Sequence, residues 1–421
     1  MQFDEARHLL SRTSFGFRHD ELEAMRRLSY TEGVERLISS ASSRTVDTPE
    51  WLAKPLSAKR WKELSAAERE IVKKERRRRS RELKIWWYRQ MIASDRQIVE
   101  WMTRFWHGHF TSELKKVKWP LLMFRQNRLF REHALGNFKT LLHAVAKDGA
   151  MMIYLDTVRN QKRDPNENFA RELLELFTLG EGHYTEHDIK NAARAFTGWG
   201  VDRRTGSFRF RARRHDDGMK RFLGEKGRFG GEEIVDIVLR QPQTARFVSA
   251  KLFRALTGLS PDDATVNRLG ELFYRSGYEI RPLLRAILLS DTFRDPANRG
   301  AMVKSPAELI VGTLRVLPLK RGSLENAVRL GRFLGEDLFD PSGVKGFPEN
   351  REWITSDTLL LRETMMRKAA RKAVPSHALA SLEPETMRRW LLPVDPAIPI
   401  ETASVRRTLE AIVTDPAYQL K

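Results

Sequence analysis

Four stretches of the chain bring together residues whose types and spacing could do chemistry. In Trp101-Met102-Thr103-Arg104-Phe105-Trp106-His107-Gly108-His109-Phe110, two imidazoles flank a glycine. Imidazole is a common transition-metal ligand and a general acid or base near neutral pH. Both rings could turn toward one point only if a helix stopped at Gly108, because in a continued helix they diverge by about 200°. The alternative is that the aromatics bury this end and the imidazoles bond backbone carbonyls.

The second stretch runs from Asp164 to Gly180. Asp164 as N-cap, Pro165 at the first helical position and Glu167 after it predict a helix start, and Gly180 predicts its left-handed stop. On such a helix Asn168, Glu172 and Glu175 fall within roughly 60° of one another. Two carboxylates and an amide on one face could bind a hard cation or do acid–base work. Against this, Glu167–Arg171 and Arg171–Glu175 have the i,i+4 spacing of an ordinary solvated ladder.

In the third, Thr185 and Asp188 predict a helix cap, Thr197-Gly198-Trp199-Gly200 follows, and His215-Asp216-Asp217 lies in a polar loop, where functional side chains concentrate. The fourth, Lys73 to Arg81, is almost wholly basic and is followed by Trp86-Trp87-Tyr88. Basic residues near aromatics could contact phosphates and stack bases. Inside a helix, though, the charges spread around the circumference and the aromatics become its buried end.

The elements that must position these residues are nearly all helical by periodicity. Ser65-Ala66-Ala67-Glu68 is a capping box opening a helix to about Ile92. Ile98, Trp101, Met102 and Phe105 give the next helix an apolar face. A break near Ser29 divides 20–39 into two helices, and further helices are predicted at 129–147, 165–179, 186–197, 243–256, 262–275, 305–316 and 401–413, among others. The only strand signal is the alternation at Ser207–Arg211, a small β-hairpin near 201–213. The predicted fold class is therefore mainly α: a single large multi-helical domain, 1–375, with a C-terminal helical extension, 376–421, packed on it. Val374-Pro375-Ser376 marks the junction.

Composition narrows the function classes. With 75 Lys+Arg against 55 Asp+Glu, the formal charge is +20, a field that favours polyanions or an acidic partner. The absence of cysteine excludes disulfides, Cys-ligated zinc, iron–sulfur clusters and thiol nucleophiles. There is no dinucleotide fingerprint, P-loop, Gly-x-Ser-x-Gly elbow or HExxH. The first residues lack a signal peptide and no apolar run could span a membrane, so the expectation is a cytoplasmic protein.

Taken together, these motifs resemble a bacterial family catalogued as domain of unknown function 1800. The resemblance begins with Ala6-Arg7-His8-Leu9-Leu10 and runs through Phe105–Phe110, His133–Phe138, Ala150–Asp156, Asn166–Gly180, Thr197-Gly198-Trp199, His215-Asp216 and Lys345-Gly346-Phe347-Pro348 to Trp353. It implies a mostly helical protein whose relatives are often exported, which leaves export open here. Relatives are often encoded beside a protein of the alkaline-phosphatase and sulfatase class, which suggests an acidic protein partner of that kind. Phe177 stands where many relatives have His, and Phe347 where many have Trp.

The resemblance also implies that His109, Asp156, Asn166, Glu167, Asn168, Arg171, Glu172, Glu175, His215 and Asp216 share a functional pocket. The expected site has His109, Glu172 and Glu175 as ligands of a divalent metal (Zn, Fe or Mn). His109, Arg171, His215 and Asp216 are its catalytic groups, and Asn166, Asn168 and Lys220 hold an anionic substrate. The alternative is a non-catalytic accessory protein that docks an acidic protein or polysaccharide through its basic surface, the polar motifs being a buried network. Nucleic-acid binding through residues 73–88 is a third reading.

Overall fold

Local signals set most helix ends in the computed structural model, which describes residues 1–39, 47–54, 56–57, 61–317, 323–372, 381–400 and 404–421. Helix α1 is Phe3–Thr13, and the break near Ser29 separates His19–Arg26 from Tyr30–Ser39. Ser65 and Glu68 form their reciprocal box, hydroxyl to N–H at 3.2 Å and N–H to carboxylate at 2.8 Å, and open α2 (Ala66–Ala93). Helix α3 is Gln97–His109. It continues through Gly108, so His107 and His109 diverge and do not form a pair.

The single helix predicted over 129–147 is two, α4 (Pro120–Glu132) and α5 (Phe138–Ala146). The chain between them pairs with Tyr278–Ile280, Phe138 donating to the Tyr278 carbonyl at 2.8 Å and Ile280 to that of Gly136 at 2.9 Å, and that pairing replaces a helical turn.

The Asp164–Gly180 stretch departs furthest from its periodicity. Helix α6 (Asn168–Glu172) begins three residues past the expected start, because Asp164 closes a turn on Gln161 and the Asn160 and Asn166 side chains accept the N–H groups of Asn166 and Asn168 at 3.0 and 3.1 Å. From Leu173 to Thr178 the backbone is a π-helix. Gly180, at φ +82°, ends it as expected.

Thr185 and Asp188 cap α7 (Glu186–Ala195) as predicted, and Asp188 also accepts the Leu223 N–H at 2.8 Å. The predicted hairpin is β1 (Trp199–Val201) antiparallel to β2 (Phe208–Phe210), with Gly200 opposite Arg209. A second, unforeseen hairpin joins β3 (Lys220–Phe222) to β4 (Glu225–Gly227).

Helices α8 (Pro242–Thr257) and α9 (Asp263–Arg275) pack side by side, with Gly270 against the Arg246 backbone. Toward the C-terminus lie helices α10 (Pro306–Val316) and α11 (Val405–Thr414). The fold is mainly α, with only these two small sheets among the described residues.

One hydrophobic cluster runs from Phe3 to Tyr418 and includes Met387, Trp390, Leu409 and Ile412. Arg7 of α1 donates to the carbonyls of Arg389 and Pro393 at 2.9 and 3.0 Å. The predicted junction at 375 and 376 lies outside the described residues. Among the described residues no helix is long and apolar enough to cross a membrane.

The basic stretch of α2 is explained by its helix. Trp86, Trp87 and Tyr88 are in the core. Arg78 pairs with Glu75 and Glu82, while the buried Arg79 donates to the carbonyls of Trp51 and Lys54 at 3.1 and 2.6 Å. The stacking surface that nucleic-acid binding through residues 73–88 requires is therefore inside the protein.

Candidate functional site

The residues singled out by sequence fall in separate places. His215, Asp216 and Lys220 meet Thr197 and Arg194. The His215 Nδ1 donates to the Thr197 carbonyl at 2.9 Å, and the Asp216 N–H donates to the Thr197 hydroxyl at 2.8 Å. Arg194 forks onto the Asp216 carboxylate at 2.7 and 3.2 Å and holds it below the usual carboxylate range. Lys220, 2% exposed, donates to the carbonyls of Asp216 and Gly218, and burial lowers its pKa. Gly198 packs so tightly here that a Cβ would lie 2.7 Å from the Arg211 carbonyl oxygen. The Asp216 carboxylate, the Lys220 ammonium and the His215 Nδ1 are thus occupied in joining the 211–220 loop to the end of α7.

On α6, Arg171 pairs with Glu186 at 2.8 Å and Glu167 at 3.2 Å. Glu175, beyond the start of the wider π turn, accepts instead from the Tyr184 hydroxyl at 3.2 Å. Glu172 is half-buried, and burial followed by the Glu175 charge raises its pKa. Asn166 is used in a backbone turn and Asn168 is exposed. Asp156 pairs with Lys116 at 2.9 Å. Among the described residues no three His, Asp or Glu side chains group as a metal would require, so His109, Glu172 and Glu175 are not brought together as a ligand set.

His109 belongs to a different place. Its Nε2 is 3.1 Å from the Phe177 carbonyl and must donate to it, which leaves Nδ1 as the lone-pair nitrogen. That Nδ1 is buried without a partner among the described residues. Burial, then the charge of Lys251, holds the imidazole well below its ordinary pKa, so it is neutral. Lys251 of α8 donates at 3.3 Å to the preceding carbonyl, that of Leu176. The π-helix accounts for both contacts: the N–H groups of Leu179 and Gly180 both go to Leu174. The carbonyls of Leu176 and Phe177 are left at the helix end for side-chain donors.

These two side chains line a cavity of about 260 Å³ among α3, the C-terminal half of α8, the approach to α10, and residues 345–353. Gly346 fixes the last segment. It has φ +92°, and a Cβ on it would lie 2.5 Å from the Gly108 carbonyl oxygen. Only a glycine at 346 permits this crossing, which brings Lys345 and Phe347 to α3.

Arg104, Lys251, Arg254, Lys345 and Lys421 supply five positive charges to the lining, against Glu308 and Glu349. Arg104 is paired with Glu336 at 2.6 Å, and Lys421 with Glu308. Burial pushes the Glu308 carboxyl up, but Lys421 and Arg104 outweigh it and hold it below its ordinary value. Lys251, Arg254 and Lys345 form no ion pair among the described residues. Burial pushes the Lys251 ammonium down to about 8, against the pull of Glu349.

Sequence reasoning found His109 here and missed the cations. Lys345-Gly346-Phe347-Pro348 entered only through resemblance, and Lys251 and Arg254 sit three apart on a helix with no other signal.

The family model described as "Protein of unknown function (DUF1800)" matches residues 8–420. The chain belongs to that family. No curated protein and no solved structure matches it. In this DUF1800 chain, His109 and the Lys345–Phe347 segment border the cavity, whereas the His215-Asp216 and Thr197-Gly198-Trp199 motifs build the knot.

Proposed function

We propose that this DUF1800 chain binds a small anion in the cavity between α3, α8 and residues 345–353. The observation that carries the reading is the set of three cations, Lys251, Arg254 and Lys345, that border one space without a carboxylate partner among the described residues. Arg254 and Lys345 are exposed, but Lys251 is partly buried with no carboxylate in ion-pair contact among the described residues, a costly placement that an anion offsets with charge-assisted hydrogen bonds. Arg254 supplies a planar fork suited to carboxylate, sulfate or phosphate oxygens, and Lys251 and Lys345 supply point charges. We read the His215–Asp216–Lys220 knot as a structural latch, since the Asp216 carboxylate, the Lys220 ammonium and the His215 Nδ1 all have partners within the protein.

Isothermal titration with inorganic sulfate tests the reading. Saturable binding is expected in the wild type, weakened at least about tenfold in Lys251→Met/Arg254→Met, since each charge-assisted bond contributes about 1.5–3 kcal/mol. Binding undiminished in that variant removes the cavity from consideration. Sulfate does not titrate near neutrality, so any pH dependence belongs to the protein. Affinity is expected to fall as pH rises through about 8, where free Lys251 loses its proton.

A further inference from the structure

Besides cations, the cavity is lined by rings. Trp101, Phe105 and His109 follow one another at four-residue steps, which places them on one face of α3. The rings of Trp101 and Phe105 are inclined by 7° with centroids 6.1 Å apart, and those of Phe105 and His109 by 9° at 6.2 Å. Three near-parallel rings therefore form a ladder in the cavity wall. Phe347 adds a fourth ring, with the Arg104 guanidinium 5.5 Å from its centre.

Phe105 and Phe347 are only half-buried, so apolar ring surface borders the space along with the unpaired charges. Uncovered ring surface favours an apolar, preferably flat, body. The volume, about 260 Å³, lies just under the roughly 300–1,000 Å³ of drug-sized sites. That suits one ring with one charged group and is too small for a dinucleotide.

We propose that the ligand of this cavity is a single-ring aromatic anion, its ring against Phe105 and Phe347 and its negative group at Lys251 and Arg254. The inference rests on the anion site proposed above.

Calorimetric titration of the full chain with phenyl phosphate, cyclohexyl phosphate and inorganic phosphate separates the two claims. Phenyl phosphate is expected to bind about tenfold or more tighter than inorganic phosphate, an advantage of the size aromatic contacts supply. Cyclohexyl phosphate should fall between them. Phe347→Leu, which keeps apolar bulk, should remove most of the phenyl advantage and leave the affinity for inorganic phosphate unchanged. Equal affinities for phenyl and inorganic phosphate, or for phenyl and cyclohexyl phosphate, overturn the aromatic inference while the anion site stands. An undiminished phenyl advantage in Phe347→Leu overturns the placement of the ring. Failure of all three to bind overturns the anion site as well.

Discussion

The knot around Asp216 and the cavity beside Lys251 are both polar, both close to family motifs, and opposite in their electrostatics. In the knot, Arg194 and Asp216 neutralise one another, and Lys220 and His215 end on backbone carbonyls. In the cavity, Lys251 reaches one carbonyl at 3.3 Å, while Arg254 and Lys345 form no ion pair among the described residues. Satisfied polar groups hold a fold in one arrangement. A partly buried ammonium without an ion-pair partner among the described residues, as at Lys251, is held at a cost, and that cost is the basis for proposing a ligand there. Polarity alone did not distinguish the two regions; the inventory of partners did.

The largest effect should come from the contact that builds the cavity. Gly346→Ala places a methyl on the Gly108 carbonyl in a left-handed conformation. About 3 kcal/mol of stability should be lost, measured by denaturant unfolding. A loss below about 0.5 kcal/mol would mean that the 345–353 segment is not fixed by this crossing.

Next, Asp216→Ala removes the carboxylate partner of Arg194 and should cost about 1–3 kcal/mol while leaving sulfate affinity intact. Lys251→Met should do the reverse, leaving stability equal or slightly higher while sulfate binding falls. If Asp216→Ala abolished binding in a protein that remained folded, the division between latch and ligand site would collapse.

A further expectation concerns the imidazoles that are buried and neutral. Burial, followed by nearby arginine charge, depresses His8 and His107 to about 3. The folded-state pKa lies below the unfolded value of about 6.5, so the unfolded chain takes up protons first as pH falls. Their contribution is complete above about pH 6.5 and is lost toward pH 3. By pH 5 each costs about 2 kcal/mol. The melting temperature should therefore drop between pH 7 and pH 5, and less so in His107→Phe. An unchanged pH profile in that variant would show that His107 is not the proton acceptor.

Where sequence and structure agree, the determinant is local. The Ser65–Glu68 and Thr185–Asp188 boxes and the Gly180 stop each act within a few residues, and each is where the motif put it. The π turn of Leu173–Thr178 could not be read, because a 3.6-residue period assumes the hydrogen bonds that Leu179 and Gly180 decline when both choose Leu174. The five cations of the cavity come from positions 104, 251, 254, 345 and 421. Apart from Lys251 and Arg254, which share a helix, nothing local relates them, since their meeting depends on a loop crossing α3 at Gly346. The predicted metal trio failed for a related reason. His109 is on α3 with its Nε2 committed to Phe177, while Glu172 and Glu175 follow a helix whose pitch changes between them.

The most direct test is a crystal of the full chain soaked in selenate, a sulfate analogue whose selenium is located by anomalous scattering. We expect a selenium peak in the cavity with its oxygens within hydrogen-bond distance of Lys251 and Arg254. Ordered selenate only elsewhere on the basic surface, with the cavity holding none, would contradict the central claim.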